Sequence, residues 1–226
     1  MPSLRQLTDA LWVIDYPFQV MGLQLGTRTS IVRLAGGGLW VHSPGPLDEQ
    51  LVKEINALGP IQALVAPNAM HHLYLAQHVR AFPDARLYLS PALPSKLKAL
   101  SAYTVLSEEA PELWRNDLRQ HIVGGLPKLQ EVVFFHPASR TLFLTDLAFN
   151  IRNSRSWFTR LFMRLNGGYN RFGPTRLFRS LVKDRAAFRA SLATIRHWDF
   201  DRVMVTHGMV LEHGGKQVMQ QEYAWV

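Results

Sequence analysis

Apolar runs in the first part of the chain predict short strands that are interrupted by two helices. The strand-like runs cover residues 11–16, 29–34, 39–42, 61–65 and 86–89. Three glycines lie between the second and third runs and favour a hairpin, because glycine takes positive φ without steric cost. Helical spacing follows at residues 47–58, with Asp48 and Glu49 in the first turn, and again from His71 to about Phe82.

The rest of the chain is predicted to contain longer helical segments and fewer strands. Residues 93–118 have the pattern of a helical connection, and apolar runs predict strands at residues 131–135, 141–145 and 202–205. Apolar residues at helical spacing predict a helix over residues 158–165, and residues 176–196 form a second helical stretch. This alternation of strands and helices predicts an α/β fold.

Polar residues that could bind a ligand or take part in catalysis follow three of the predicted strands. His71 and His72 lie where a strand gives way to a helix, Asp146 follows a strand directly, and His207 lies in a Thr-His-Gly sequence after the last strand. Ligand sites form at such strand ends in layered α/β proteins. Each residue also has a structural interpretation. The adjacent histidines could begin a helix, Asp146 could cap a helix at residues 147–152, and His207 could be a loop histidine bonded to backbone.

Composition limits the fold and the chemistry. A chain of 226 residues, 47% of them hydrophobic, can bury one substantial core, which predicts a single domain over residues 1–226. The absence of cysteine excludes disulfides and thiolate metal sites, so any metal would need His, Asp or Glu ligands. The N-terminal segment lacks an uninterrupted apolar region, and no run reaches the roughly 18 apolar residues of a membrane span. These features predict a cytoplasmic protein.

The positive charge of the chain is concentrated in one segment. The formal net charge is +8, and residues 151–189 contain ten Arg and Lys residues against one acid, interleaved with aromatic residues. Such a pattern is typical of a surface that attracts anions, either nucleic acid or an anionic membrane. The alternative is a helical cap whose aromatic residues complete the core and whose arginines are only solvated.

The predicted order of elements resembles the metallo-β-lactamase superfamily, which includes hydroxyacylglutathione hydrolases and ribonuclease Z. The resemblance implies a four-layer αββα sandwich with an Arg-rich helical insertion at about residues 150–190. In that family, a Thr-His-x-His-x-Asp-His motif binds one or two zinc or iron ions. Aligning the end of this motif with His71 and His72 places Pro67 and Ala69 at the two leading histidines. A third histidine of the first metal site is replaced near Pro127.

The resemblance also implies one remaining metal site, formed by His71, His72, Asp146 and His207. Asp146 falls at the family's metal-bridging aspartate, and His207 at a histidine near its C-terminus. Three imidazoles and one carboxylate suit zinc or iron, and such a metal lowers the pKa of a bound water. This predicts a mononuclear metal-dependent hydrolase acting on a small anionic ester, thioester or phosphoester. The alternative is a catalytically inactive protein of the same fold, without a metal, that binds nucleic acid or an anionic membrane through residues 151–189.

Overall fold

The computed structural model describes residues 2–100 and 102–226 and contains strands from both halves of the chain. In the first half these are β1 (Leu4–Thr8), β2 (Leu11–Tyr16), β3 (Gln19–Val20), β4 (Leu23–Gln24), β5 (Thr27–Arg33), β6 (Leu39–His42), β7 (Ile61–Ala66), β8 (Arg86–Leu89) and β9 (Thr104–Val105). In the second half they are β10 (Arg119–Ile122), β11 (Val132–His136), β12 (Thr141–Phe143) and β13 (Arg202–Met204). The helices are α1 (Glu49–Leu58), α2 (Leu75–Ala81), α3 (Trp157–Leu165), α4 (Arg176–Leu181), α5 (Arg185–Arg196) and α6 (Gly215–Glu222).

Most of these strands form two sheets. The first has the order β1-β2-β5-β6-β7-β8-β9, antiparallel from β1 to β6 and parallel from β6 onwards. Helices α1 and α2 provide the crossovers that parallel neighbours require. The second sheet has the order β10-β11-β12-β13, in which only β12 and β13 are parallel, and α3, α4 and α5 lie between them in the chain. Strands β3 and β4 form a separate hairpin.

The sheets pack face to face through a core of aromatic side chains. The ring of Trp40 on β6 contacts Phe134 on β11 and Phe143 on β12 edge-on, at centroid distances of 4.9 and 5.6 Å. Edge-to-face geometry of this kind is favourable for aromatic rings. On the outer faces, α1 and α2 cover the first sheet, and α4, α5 and α6 cover the second. The chain therefore forms the predicted αββα layers.

Four local predictions differ from the structure. The predicted connection over 93–118 contains turns and strand β9 but no helix among its described residues, since Thr104 and Val105 pair with β8 and Pro111 would interrupt a continuous helix. The predicted helix over residues 176–196 is split into α4 and α5, because Asp184 caps α5 through the backbone N–H of Ala187. Residues 147–152 form isolated bridges rather than a helix. Helix α2 begins only at Leu75, so the adjacent histidines lie in a turn before it.

None of the helices in residues 2–100 and 102–226 combines the length and the apolarity that a membrane crossing needs. The cytoplasmic location and the domain boundaries remain predictions.

Candidate metal centre

Three of the four predicted ligands converge at one edge of the sandwich. The Nε2 atom of His71 lies 3.2 Å from Oδ2 of Asp146, and Nε2 of His207 lies 3.4 Å from Oδ1 of the same carboxylate. One ligand atom from each residue lies within 4.8 Å of the other two. The three side chains therefore form one compact group of two imidazoles and one carboxylate.

Strand register explains this convergence. Phe143 on β12 pairs with Met204 on the parallel strand β13. Asp146 and His207 each follow three residues after this pair, so they leave the second sheet side by side. His71 comes from the turn after β7 in the first sheet. The group consequently bridges the ends of both sheets, at the strand ends where ligand sites form in α/β folds.

The orientation of His207 is fixed by its second ring nitrogen. Its Nδ1 lies 2.6 Å from the backbone carbonyl oxygen of Gly26, which can only accept a hydrogen bond, so Nδ1 carries the proton. In the neutral imidazole, Nε2 then presents a lone pair to an Asp146 oxygen, and two acceptors face one another. A second proton on the ring or a cation between the groups would remove that repulsion. Metal-binding histidines are commonly oriented by such a carbonyl.

Further contacts hold the two imidazoles in place. The Oγ atom of Ser43 lies 2.8 Å from Nδ1 of His71, which leaves Nε2 directed at Asp146. The ring of Phe149 stacks on His207 at 5.5 Å with an interplanar angle of 9°. Buried Arg28 donates hydrogen bonds to the carbonyl oxygens of Val205 and Gly208, on either side of this histidine. The imidazoles are therefore positioned before any ligand binds.

Asn68 connects the carboxylate to the histidine turn. Its Nδ2 lies 2.7 Å from Oδ2 of Asp146, 2.9 Å from Oγ1 of Thr145 and 3.2 Å from Oε2 of Glu131. Its Oδ1 accepts hydrogen bonds from the backbone N–H groups of Met70 and His71. One fully buried amide thus fixes both Asp146 and the turn that carries His71.

Glu131 is fully buried and holds the loop that carries Asp146. It accepts hydrogen bonds from the backbone N–H groups of Thr145, Asp146 and Leu147. Burial and the Asp146 charge raise the pKa of Glu131 above its usual range, although the N–H groups of Thr145 and Asp146 oppose this. Glu131 orients the loop that carries Asp146 and does not belong to the three-residue group.

Electrostatics favour an ionised Asp146. Burial alone would raise the pKa of this carboxyl, but His71 and His207 together outweigh burial and hold it well below its usual range. A carboxylate anion between two imidazoles is an appropriate set of donors for a divalent cation such as zinc or iron.

The fourth predicted ligand, His72, lies outside the group of three. It is half-buried in the wall of the adjacent cavity, where burial, Lys96 and His71 lower its pKa. The other three residues stand together as predicted, and the role of all four as ligands remains a prediction. The structural interpretation of Asp146 as a helix cap is not supported, because residues 149–151 form isolated bridges and the next helix, α3, begins only at Trp157.

Residues without metal-binding side chains occupy the positions that the family resemblance assigned to the first metal. Pro67 and Ala69 are both buried. The carbonyl oxygen of Pro67 accepts a hydrogen bond from the N–H of Val132, and the N–H of Ala69 donates to the carbonyl oxygen of Leu129. Pro127 is exposed. The hydrogen bonds at Pro67 and Ala69 are therefore made by backbone atoms. The side chains of Pro67, Ala69 and Pro127 have no atom that can bind a metal.

A largely apolar cavity of about 740 Å³ opens beside the three-residue group. Its wall comes from the β3–β4 hairpin, from the turn after β7 and from helices α3 and α4 of the predicted insertion. The lining includes Phe18, Phe149, Phe158, Phe162, Leu177 and Leu181. Lys96 is its one basic residue other than histidine, and no arginine of the insertion lines it. The insertion therefore covers the site with apolar side chains and not with its positive charge.

Asn68, Glu131 and Ser43 are the residues of this site that the sequence did not single out. Asn68 follows Pro67, and a Pro-Asn pair indicates a turn that ends the preceding strand. Glu131 directly precedes an apolar run, so the sequence predicts only that it is the first residue of a strand. One signal for Glu131 was available, since a carboxylate next to an apolar strand needs a partner if it is buried. Nothing in the sequence shows that the two residues meet.

Comparisons with known proteins support the fold and name a family. The sequence model of a family described as "Domain of unknown function (DUF4336)" matches residues 8–161. A search of the curated proteins found no match. The chain is similar in structure to a metallo-β-lactamase from Pontibacter korlensis, with 14% identity, a TM-score of 0.65 and 96% of each chain covered.

Two other solved structures show the same likeness. The metallo-β-lactamase FIM-1 from Pseudomonas aeruginosa, in its mono-zinc form, has 14% identity and a TM-score of 0.65, over 97% of this chain and 93% of the other. The Flv1 flavodiiron core from Synechocystis sp. PCC6803 has 10% identity and a TM-score of 0.65, over 99% of this chain and 60% of the other. At these identities the likeness establishes the fold alone, and the predicted metallo-β-lactamase fold is confirmed.

Proposed function

Because the chain belongs to the DUF4336 family and has the metallo-β-lactamase fold, we propose that it is a metal-dependent hydrolase with a mononuclear site. His71, Asp146 and His207 would hold the metal, either zinc or iron. The proposed substrate is an ester, thioester or phosphoester that carries an apolar group and an anionic end. A substrate of this kind fits an apolar cavity with one lysine in its wall.

The observation that carries this proposal is the hydrogen bond from His207 to the carbonyl oxygen of Gly26. It directs an unprotonated Nε2 at Asp146 in the neutral ring, an arrangement that a cation would stabilise. Catalytic zinc sites typically have three protein ligands and keep one position open for water or substrate. The three-residue group matches this number, whereas a fourth ligand would fill that position.

A metal at this position would act as a Lewis acid and activate water for hydrolysis. The chain itself supplies the other requirements. Ser43 and the Gly26 carbonyl fix the orientation of the two imidazoles, and Asn68 holds Asp146. The apolar wall would accommodate the apolar part of a substrate. Exposed Lys96 lines the cavity and donates one hydrogen bond to the Ala69 carbonyl oxygen, so its ammonium group retains two N–H donors for an anionic group of the substrate.

Metal analysis tests the proposal directly. Protein purified without chelator, or supplied with zinc, iron or manganese, should contain about one metal ion per chain. Asp146→Asn and His207→Gln should lower this content strongly, and His72→Gln should retain it, because His72 lies outside the group. A metal content near zero in the native protein under all these conditions would refute the proposal and leave the non-catalytic alternative.

Activity requires a second assay. Nitrophenyl esters, acyl thioesters and nitrophenyl phosphodiesters represent the three bond types. We expect turnover of at least one, lost on chelation and restored by metal. If the native protein binds metal but hydrolyses none of these probes, the proposed metal site is kept and the hydrolase assignment is refuted for these bond types.

A further inference from the structure

Large exposed apolar side chains are concentrated around the cavity. On α3, Trp157, Leu161 and Leu165 are 67%, 46% and 64% exposed. Their spacing of four residues places them on one stripe of the helix. Other exposed residues of this kind lie in the cavity wall itself: Val20, Met21, Met70, Leu73, Phe158 and Leu177. We name this surface, with the α3 stripe and these six residues, the apolar rim.

Helix α3 is oriented so that its stripe faces outward. Thr159 and Met163 are buried, and Thr159 Oγ1 accepts a hydrogen bond from the backbone N–H of Gln24 in the β3–β4 hairpin. Phe158 and Phe162 line the cavity. The helix therefore already has an inner face and a cavity face, and the exposed stripe contributes to neither.

Positive charge accompanies the apolar rim. Residues 151–189 contain ten basic residues and one acid, while the rest of the chain contains 15 basic and 16 acidic residues. All of the net positive charge of the chain is therefore in this segment. Three arginines of this segment are exposed: Arg155 just before α3, Arg164 in α3 and Arg176 at the start of α4. The surface thus combines exposed leucines and methionines with adjacent guanidinium groups.

We propose that the apolar rim docks onto the surface of an anionic lipid bilayer and opens the cavity toward its acyl chains. A helix with a Trp- and Leu-bearing face and arginines beside it is typical of interfacial binding, in which apolar side chains enter the bilayer boundary. Arginines near an anionic leaflet add electrostatic attraction. A nucleic acid surface would instead be expected to present aromatic rings for base stacking, whereas most residues of the rim are aliphatic.

This docking goes beyond the proposed function and does not require a metal. It also predicts where an amphiphilic substrate would enter, since the docked surface surrounds the cavity that leads to His71 and Asp146. Vesicle binding can therefore be measured in chelator, so that failure of the docking and failure of the hydrolase proposal are separate results.

Vesicle flotation of the full chain tests the docking. At low salt, we expect at least tenfold stronger binding to phosphatidylcholine vesicles that contain phosphatidylglycerol than to phosphatidylcholine alone, with salt weakening it. The double variant Leu161→Ser, Leu165→Ser should lose most binding. The matched control is Val105→Ser on β9, which is 43% exposed but outside the cavity wall. It should bind like the native chain.

The charge contribution has its own pair of variants. Arg155→Gln, Arg164→Gln should lower binding to the anionic vesicles by about tenfold or more, because each arginine near the surface contributes separately. Arg196→Gln at the exposed end of α5 serves as the control and should have little effect. The docking would be refuted if the control variants lost as much vesicle binding as the rim variants. It would also be refuted if the native chain bound vesicles with and without phosphatidylglycerol equally well.

A label provides a readout that does not depend on how a serine variant folds. Because the chain has no cysteine, Leu161→Cys and Val105→Cys each create one labelling site. An environment-sensitive fluorophore should shift to shorter wavelength with anionic vesicles at position 161 and stay unchanged at 105. No shift at 161 would count against insertion. If a single-stranded oligonucleotide binds and only the arginine variants weaken it, the surface is a nucleic acid site instead.

Discussion

Replacing Asn68 with alanine should destabilise the protein more than any other loss of one neutral polar side chain at this site. The amide has two hydrogens directed at three acceptors, two of which belong to the buried carboxylates of Asp146 and Glu131. Its oxygen accepts from two backbone N–H groups in the histidine turn. Alanine would leave these groups without that partner, and Asn68, Thr145 and Glu131 are fully buried.

The magnitude follows from these contacts. A hydrogen bond contributes about 0.5–1.5 kcal/mol net, more when one partner is charged, and an unsatisfied buried group costs about 1–3 kcal/mol. Two donated and two accepted hydrogen bonds would be lost, at least one of them to a carboxylate, which should reduce the free energy of unfolding by about 3–5 kcal/mol. For a chain of this size, a loss of that order lowers Tm by roughly 6–20 °C.

Denaturant unfolding followed by circular dichroism, in chelator, measures this effect without a contribution from metal binding. Asn56→Ala is the control, because Asn56 is exposed in α1 and should change the free energy by less than about 0.5 kcal/mol. Asn68→Asp keeps the acceptor oxygen but adds a third carboxylate, so it should be least stable at neutral pH and recover as pH falls. If Asn68→Ala stays within about 1 kcal/mol of the native chain, the network does not support the site as argued.

Three further predictions concern the metal, acid stability and the backbone. Zinc at about 100 times its Kd should raise Tm by about 5–10 °C in calorimetry, reversibly with chelator; no shift would argue against a site in the folded state. Burial lowers the pKa of His78 to about 4, although its hydrogen bond with Gly45 opposes this. As pH falls, the unfolded state therefore protonates His78 before the folded state does. The free energy of unfolding then falls by up to about 3 kcal/mol between about pH 6.5 and pH 4. His78→Gln should remove that part of the pH dependence of unfolding, and an unchanged pH profile would contradict it. Gly208→Ala should cost more than about 2 kcal/mol, since φ is +98° and a Cβ would lie 2.2 Å from the Asn150 carbonyl oxygen. Gly214→Ala, with φ of +70° and open space, should cost only about 1 kcal/mol in the same unfolding assay.

The layers of this fold were predictable because strand and helix periods are local properties of the sequence. The hairpin before β6, the helix α1 and the strand β7 all appear where the apolar pattern places them. The prediction was wrong over residues 93–118, where Thr104 and Val105 pair with β8, a tertiary contact that the apolar spacing alone does not show. Strands β1 and β10 were missed, since strand formation depends on partners elsewhere in the chain.

The candidate site was predictable only in part, for a related reason. His71, Asp146 and His207 could be selected because each follows a strand, and the strand ends of the two packed sheets meet at one edge of the sandwich. His72 lies outside the three-residue group although it is adjacent to His71, because the two side chains leave a turn in different directions, which a sequence alone does not show. Asn68 and Glu131 act across 63 positions of the chain, so their pairing is a property of the tertiary fold.

One segment of this chain contacts both the positions that the resemblance assigns to a first metal and the loop that carries Asp146. Where the resemblance places the leading histidines, Ala69 and Pro67 form backbone hydrogen bonds with Leu129 and with Val132, the first residue of β11. The same segment carries Glu131, which accepts hydrogen bonds from three backbone N–H groups of the Asp146 loop. The segment that pairs with residues 67 and 69 therefore also positions the carboxylate of Asp146. This accounts for a compact group of three polar side chains beside a buried polar network.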